Sequence, residues 1–478
     1  MESRALVVAM ENLPNWLRSL WEEPSWQKMV ALASAGMLGQ VLWNHYGVLF
    51  HKRLPETNLG WPVVGHTLSI FKLSLERWAL KLMEGRQVLV ANYLFESRAI
   101  IKYDVYTKHI HRTELDGKLC PVLVPAVRAL VGPNSVIMLP GGKGHSRHKR
   151  LRGKLLASLG PNYVLSILPE IKGLIHKTLD DMVEQTKNRG FGVFEAAAGL
   201  LAFQSSVLPV LAGLPAAKQR CVQDLLDEIL GGMFAVPLNL GRFSAHGRAV
   251  LARKKMCDMT AEIMASPNLS QQNIIADLMQ ETVDGKGFSK EEVLDTVLTL
   301  LLAGKLTTAD ALPSLLVDLH QHRSWVDKIA AEPLEMQGVE TDSATLRFVR
   351  ESLRMKPPTG AYLRANYGED TDLGEHGVVP KGMCMALYFS ADLTTMGKDF
   401  NPDRWTPELV RSHFLVFGGH QPHECVGKHL ALMELQLFAK VLCKEYEFEV
   451  LDTTEVVNPS NPMTMCYKGG CQVKVRRK

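Results

Sequence analysis

The sequence lacks several things that would have pointed elsewhere. No Ser/Gly linker, low-complexity run or internal repeat divides its 478 residues, which argues for one large domain over a string of modules. Its eight cysteines, at positions 120, 221, 257, 384, 425, 443, 466 and 471, show no paired spacing of the zinc-site kind. They are too sparse for a disulfide scaffold, so a reducing compartment is expected for the catalytic part. Excess charge is missing too. Lys and Arg total 54 against 50 Asp and Glu, a net charge of +4, while 46% of residues are hydrophobic; disorder and nucleic-acid binding are poor readings of that balance. Charge is also absent locally, with no Lys, Arg, Asp or Glu from Met29 to Phe50. As a helix that run reaches about 30 Å, enough to cross a bilayer. Gln40, Asn44 and His45 leave an interfacial helix or a targeting segment as alternatives. Glu22 and Glu23 precede the run and His51, Lys52 and Arg53 follow it, which places the C-terminal part on the cytoplasmic side of a spanned membrane. Leu54 to Gly65, with Pro55 and Pro62, reads as a stiff extended connector.

What the chain does have is an irregular stretch that becomes a helix. From Phe417 to Cys425, glycines and a proline forbid a regular element, whereas Leu430, Met433, Leu437 and Val441 recur at helical spacing. Cys425 therefore stands where the dipole and unpaired N–H groups of a helix start favour a thiolate, a setting for an axial ligand of haem iron. Gly427 would let the backbone lie flat against a large planar cofactor. The stretch resembles the cysteine loop of the cytochrome P450 superfamily, the haem-thiolate monooxygenases, whose pattern is Phe-x-x-Gly-x-[Arg/His]-x-Cys-x-Gly. Phe417 departs from it by one residue, which leaves an extra residue around His420 and Gln421.

Other stretches resemble the same family in the same order. Glu291 to Leu319 is apolar nearly all round and reads as a buried helix. Within it, Ala303-Gly304-Lys305-Leu306-Thr307-Thr308 resembles [Ala/Gly]-Gly-x-[Asp/Glu]-Thr-[Thr/Ser]. Gly304 would leave room for O2, and Thr307 with Thr308 would hold water and pass protons. Leu306 stands where the acid should be, so protons would have to come through Thr307, Thr308 and water, or from Asp310 or the substrate. Gly144 to Leu156 is strongly basic and reads either as a solvated face or as something more specific. In the specific reading, His148 and Arg152, one helical turn apart, resemble the pair that hydrogen-bonds a haem propionate, and the remaining charges suit an acidic electron-transfer partner. Arg364, in an expected strand at Tyr362-Leu363-Arg364, resembles a propionate contact; His423 takes the place of the family's usual arginine. Arg350-Glu351-Ser352-Leu353-Arg354 and Phe400 to Trp405 resemble the motifs that build a buried Glu351–Arg354–Arg404 triad. Thr371 to Lys381 reads as a β-hairpin. Tyr467 to Val473 resembles the terminal hairpin whose tip enters the substrate pocket.

The resemblance implies a mainly α fold with small β-sheets (α+β), a membrane anchor or targeting segment over 1–53 and a catalytic domain over 54–478. It implies haem b, with Cys425 on the iron, Thr307, Gly304 and Thr308 as catalytic residues, and His148, Arg152, Arg364, His423, Phe417 and Gly427 around the cofactor. The implied reaction inserts one oxygen atom of O2 into a lipophilic substrate, with electrons from an NADPH-cytochrome P450 reductase or a ferredoxin-type donor at the endoplasmic reticulum or another organelle. The segment from Gly232 to Leu240 resembles the clan of retinoic-acid hydroxylases, cyanobacterial relatives and plant brassinosteroid oxidases, which points to an isoprenoid or sterol-like substrate. Leu306 keeps two alternatives open: a haem-thiolate isomerase or dehydratase acting on a lipid hydroperoxide, and a non-catalytic haem- or lipid-binding protein. If the uncharged run is the anchor, deleting residues 1–50 should move the protein from the membrane to the soluble fraction with its haem content unchanged, as fractionation and absorbance would record. Retention in the membrane pellet would place the attachment on the catalytic domain.

Overall fold

An apolar helix that must be covered on every side sets the architecture. Ser289 starts it with a capping box, its hydroxyl accepting from Glu292 N–H while the Glu292 carboxylate accepts from Ser289 N–H. The helix then runs unbroken over Lys290–Gln321. Its first half, with Val293, Val297 and Leu301, belongs to one apolar core, and its second half, with Leu312, Leu315 and Leu316, belongs to another. Among the described residues it is the one helix long and apolar enough to cross a membrane, and it is a buried core helix. The structure is a computed structural model of the full chain and describes residues 36, 39–40, 42–43, 46–62, 64–94, 96–211, 214–265, 274–280, 287–388, 396–419, 422–458, 461 and 464–478. Most of Met29–Phe50 lies outside the described residues, as do His420 and Gln421.

Helices Leu168–Arg189, Phe194–Val210, Ala344–Met355 and Lys428–Glu445 share the second core, while Ala216–Met233 and Ala245–Met264 pack in the first. To one side lies a six-stranded mixed sheet in the order Thr57–Asn58, Val88–Tyr93, Glu96–Lys102, Cys384–Tyr388, Ala361–Asn366 and Leu119–Pro121. The expected strand at Tyr362 to Arg364 is the fifth of these, with Arg364 opposite Met385 on one side and Pro121 on the other. The expected hairpin at Thr371 to Lys381 is present as Thr371–Asp372 paired antiparallel with Val378–Val379. The reading of Tyr467 to Val473 needs correction. Met465–Tyr467 pairs with Glu455–Val457, whereas Gln472–Arg477 pairs with Tyr446–Val450 and Gly192–Val193. Lys468 to Cys471 is therefore a turn between two sheets, made by three successive positive φ values of 72°, 79° and 57° at Gly469, Gly470 and Cys471.

One carboxylate ties the helical half to the loop that follows the sheet. Glu351 is fully buried. Its Oε1 accepts from Arg354 Nη2 at 2.7 Å, Asn401 N at 2.8 Å and Arg404 Nε at 3.0 Å; its Oε2 accepts from Arg354 Nε at 2.9 Å and Trp405 Nε1 at 3.0 Å. Arg354 and Arg404 spend further donors on the carbonyls of Gly397, Asp399 and Met396. Glu351, Arg354 and Arg404 thus meet in one hydrogen-bonded cluster, and Trp405 joins them. Removing the carboxylate strands two guanidiniums in a low-dielectric site, so Glu351→Ala should lower stability by about 3–5 kcal/mol. Denaturant unfolding followed by circular dichroism would measure it, and a loss below about 1 kcal/mol would show that water reaches the triad.

Candidate functional site

The longest cavity wall is the middle of the Lys290–Gln321 helix, where Leu300, Ala303, Gly304, Thr307, Thr308 and Ala311 face an opening of about 310 Å3. Facing it is the cysteine loop, with Phe417, Gly418, His423, Cys425, Val426 and Gly427, and the first turns of the Lys428–Glu445 helix. The loop is closed by Cys425 N–H donating to the Phe417 carbonyl at 2.8 Å. That bond turns the thiol toward the cavity, and Cys425 is accordingly exposed there while protein surrounds it on its other sides. Burial pushes the thiol pKa up, against the Gly427 N–H, which pulls it down. The helix-start stabilisation expected for a thiolate is thus outweighed by desolvation until a cation sits beside the sulfur. A Cβ built on Gly427 would meet nothing but the Cys425 sulfur at 3.9 Å. The cavity is therefore open over the glycine, as a planar group lying against the backbone requires.

The edge expected to be basic is more tightly committed than the sequence implied. Arg364 and His423 line the cavity, and among the described residues His148 and Arg152 do not. His148 is 3% exposed, its ring 4.3 Å from that of His423. Burial, then the neighbouring charges of His423 and Arg152, lower its pKa to about 3, so it is a neutral ring at physiological pH. Arg152 donates to the Glu424 carbonyl at 3.0 Å, beside Cys425, and His423 Nε2 lies 2.9 Å from the Leu139 carbonyl. Arg364 Nε donates to a carboxylate that sequence reasoning overlooked, Glu114, at 2.7 Å. The rest of the basic helix, Ser146–Ser158, is partly spent as well. Arg147 pairs with Glu292 at 2.7 Å, and Arg150 lies over the Phe288 ring at 4.6 Å.

On the helix wall, Thr307 donates its hydroxyl to the Ala303 carbonyl at 2.8 Å, which leaves its oxygen free to accept a proton-bearing partner. Gly304 has a second reason to be small. An added Cβ would stand 2.9 Å from Ser206 Cβ, so the Phe194–Val210 helix needs the glycine to approach. Leu306 is not among the lining residues, and Asp310, the alternative acid, faces a separate cavity with Glu195, Asn458 and Tyr467. Two charged residues were missed by pattern reading. Lys305 is buried and paired with Asp227 across the helix packing. Glu434 is 2% exposed, lines the main cavity, and accepts from the Ser205 hydroxyl at 2.8 Å. With no cation beside it among the described residues, burial raises its carboxyl to about 8 against the Ser205 hydrogen bond, so it is a neutral acid near pH 7. The available signal was a lone acid inside the apolar run from Leu430 to Val441.

A thiol facing a cavity, a small-residue wall across from it and guanidinium at one edge is a donor set suited to a planar iron complex with carboxylate arms. The family model for cytochrome P450 matches residues 242–475. The chain belongs to the cytochrome P450 superfamily. It is 24% identical over 439 residues to cytochrome P450 85A of Phaseolus vulgaris, covering 85% of this chain and 89% of that one. It is 25% identical over 443 residues to a putative cytochrome P450 120 of Synechocystis, covering 85% and 94%. It is 23% identical over 430 residues to an abietadienol/abietadienal oxidase of Pinus taeda, covering 83% and 86%. A retinoic-acid-bound cyanobacterial CYP120A1 shares its fold, with a TM-score of 0.73 at 20% identity over 90% of this chain and 100% of that one. Its P450 fold is mainly α with small sheets, and the cofactor of such an enzyme is haem iron.

In this P450 the close approach of Gly304 to Ser206 generates a packing prediction. Gly304→Ala should cost about 1–3 kcal/mol by overpacking, and Ser206→Gly should relieve much of it. A double-mutant cycle by denaturant unfolding would read the coupling, and simple additivity would show that the two helices can move apart freely.

Proposed function

We propose that this P450 monooxygenase places one oxygen atom from O2 on a lipophilic substrate of isoprenoid or sterol-like type, with Cys425 as the iron ligand. The observation that carries the reading is the single cavity in which the Cys425 thiol faces the Ala303–Ala311 strip, with Arg364 and His423 at its edge. The relatives named for an abietadienol/abietadienal oxidase and a taxane 13-alpha-hydroxylase support the substrate class. The uncharged run before residue 51 supports attachment to a membrane, and the basic helix, with Lys149 exposed, supports a reductase or ferredoxin-type donor.

Bound haem would supply electron density from the thiolate and the redox change needed to split O2. The chain's own residues would do the rest. Arg364 and His423 would orient the carboxylate arms, with His148 behind His423 and Arg152 holding the cysteine loop at the Glu424 carbonyl. Phe417 and Gly427 would lie against the cofactor, and Gly304 and Ala303 would leave space on the opposite side. Thr307 Oγ1 would accept a hydrogen bond and hold a proton donor in place. Glu434 would be the buried acid that stocks that site with a proton, held by Ser205 and neutral near pH 7. Leu306 does not line the cavity, so the position that first kept hydroperoxide rearrangement open is not one that touches the reacting space.

Three variants test the reading with the purified chain and an NADPH-fed reductase. Cys425→Ser should lose the red-shifted band of the reduced carbon-monoxide complex, and keeping that band would remove Cys425 as ligand. Thr307→Ala and Glu434→Gln should each lower product formed per NADPH by about tenfold or more, up to the ~10²–10⁴-fold that general acid assistance supplies, with the electrons recovered as hydrogen peroxide. Unchanged coupling in both would mean that protons arrive by another route. Product from a lipid hydroperoxide without NADPH would instead establish the isomerase reading.

A further inference from the structure

A buried carboxylate stands among the groups that would receive the cofactor's own carboxylates. Glu114 lies in the short helix His111–Leu115 and is 1% exposed. Its Oε1 accepts from Arg364 Nε at 2.7 Å and its Oε2 from the Tyr106 hydroxyl at 2.7 Å; His423 Nδ1 is 3.9 Å from Oε1, beyond hydrogen-bond reach. Burial works to raise its pKa, but the adjacent His423 ring, the Arg364 guanidinium and the Tyr106 phenol overcome it and hold the carboxyl down to about 2. The short helix is clamped in place by its backbone. Gly117 N–H donates to the Glu114 carbonyl at 2.9 Å, and a Cβ on Gly142, whose φ is +95°, would come within 2.5 Å of that oxygen. Glu114 is thus an obligatory anion in a rigid seat.

The charges around it do not balance once a haem is present. Arg364 commits Nε to Glu114 and Nη1 to the Leu363 carbonyl at 2.9 Å. Arg152 brings a second positive charge behind the cysteine loop, where it donates to the neutral Glu424 carbonyl at 3.0 Å. Two propionates added to Glu114 make three carboxylates for two guanidiniums. A fixed negative charge close to an iron centre favours the more positive, ferric state over the ferrous one, and a water-poor setting weakens the screening.

We propose that Glu114 is a positioning residue that acts as a fixed counter-anion at the haem edge, aligning Arg364 through its Nε and, by offsetting that guanidinium's charge, holding the iron toward the ferric state. The electron transfer concerned is the one-electron reduction of ferric to ferrous iron by the external donor; Glu114 itself gains and loses nothing. The proposal rests on the reading that haem occupies the main cavity with its carboxylates toward Arg364 and His423.

The test uses the full-length holoprotein in two measurements, a dye-mediated redox titration followed by absorbance and the rate of haem transfer to apomyoglobin. Glu114→Gln keeps the shape and an oxygen for Arg364 Nε while removing the charge. It should move the ferrous-to-ferric ratio at fixed poise at least threefold toward ferrous, about 28 mV at ~59 mV per tenfold for one electron. Haem transfer should stay within about twofold. Tyr106→Phe strips a donor from the carboxylate but keeps its charge, so it should shift the ratio the other way. An unmoved or lowered potential in Glu114→Gln, or the same upward shift in both variants, would overturn the inference in favour of a purely structural carboxylate. Should Glu114→Gln yield no folded holoprotein, Tyr106→Phe decides alone: a downward shift supports the proposal, and no shift or an upward one overturns it. Arg152→Gln separates the underlying reading from the inference. Faster haem transfer in that variant supports the placement of the haem edge, and transfer and potential both unchanged would remove the placement and the inference with it.

Discussion

The site depends on one constraint: the Lys290–Gln321 helix is held by two apolar cores and faces the main cavity along the strip between them. Val293, Val297 and Leu301 bury into one core and Leu312, Leu315 and Leu316 into the other, so the helix can neither slide nor turn without exposing leucines. The strip from Leu300 to Ala311 falls between the two, where Ala303, Gly304, Thr307 and Thr308 are too small to fill the space. A cavity in the middle of a protein is costly unless something occupies it. In the proposed reading the occupant is the cofactor, and the opposite wall is the loop that brings Cys425 to face the strip.

Buried charge is used in three different ways around that cavity. Glu351 is saturated with five donors and joins the Ala344–Met355 helix to the loop around Arg404, so its work is mechanical. Glu434 has a hydroxyl partner and, among the described residues, no cation beside it, so burial leaves it protonated. Glu114 has a guanidinium and a phenol, so it stays ionised. The same side chain is thus a brace, an acid and an anion, and the difference lies in its partners rather than in its degree of burial.

Much of the fold and part of the site were legible in the amino-acid order. The long apolar run before and after Gly304 could only be a covered helix, and the switch from Gly/Pro-broken chain to a 3.6-residue period could only set Cys425 at a helix start. The i,i+3 placement of Glu351 and Arg354 puts both on one helix face, and Arg364 falls in a strand as its neighbours require. These are local consequences of covalent geometry and periodicity, and they hold whatever the rest of the chain does.

Partnership across the fold was not legible. Arg364 reads as a free cation until the His111–Leu115 helix, 250 positions away, delivers Glu114 to it. His148 reads as a donor until His423 covers its ring, and Asp310 reads as a proton source until helix rotation turns it into a different cavity from Thr307. Tyr467 to Val473 reads as one hairpin although its two halves pair with strands from different sheets. By itself the sequence determined that the Glu291–Leu319 run is a buried helix and that Cys425 stands before another, because those follow from short-range spacing; the fold as a whole came from the resemblance of its motifs to those of a known family. Only the tertiary structure decided which charges remain available to a ligand, because a buried charge is defined by what lies within a few ångströms of it, and those neighbours come from distant parts of the chain.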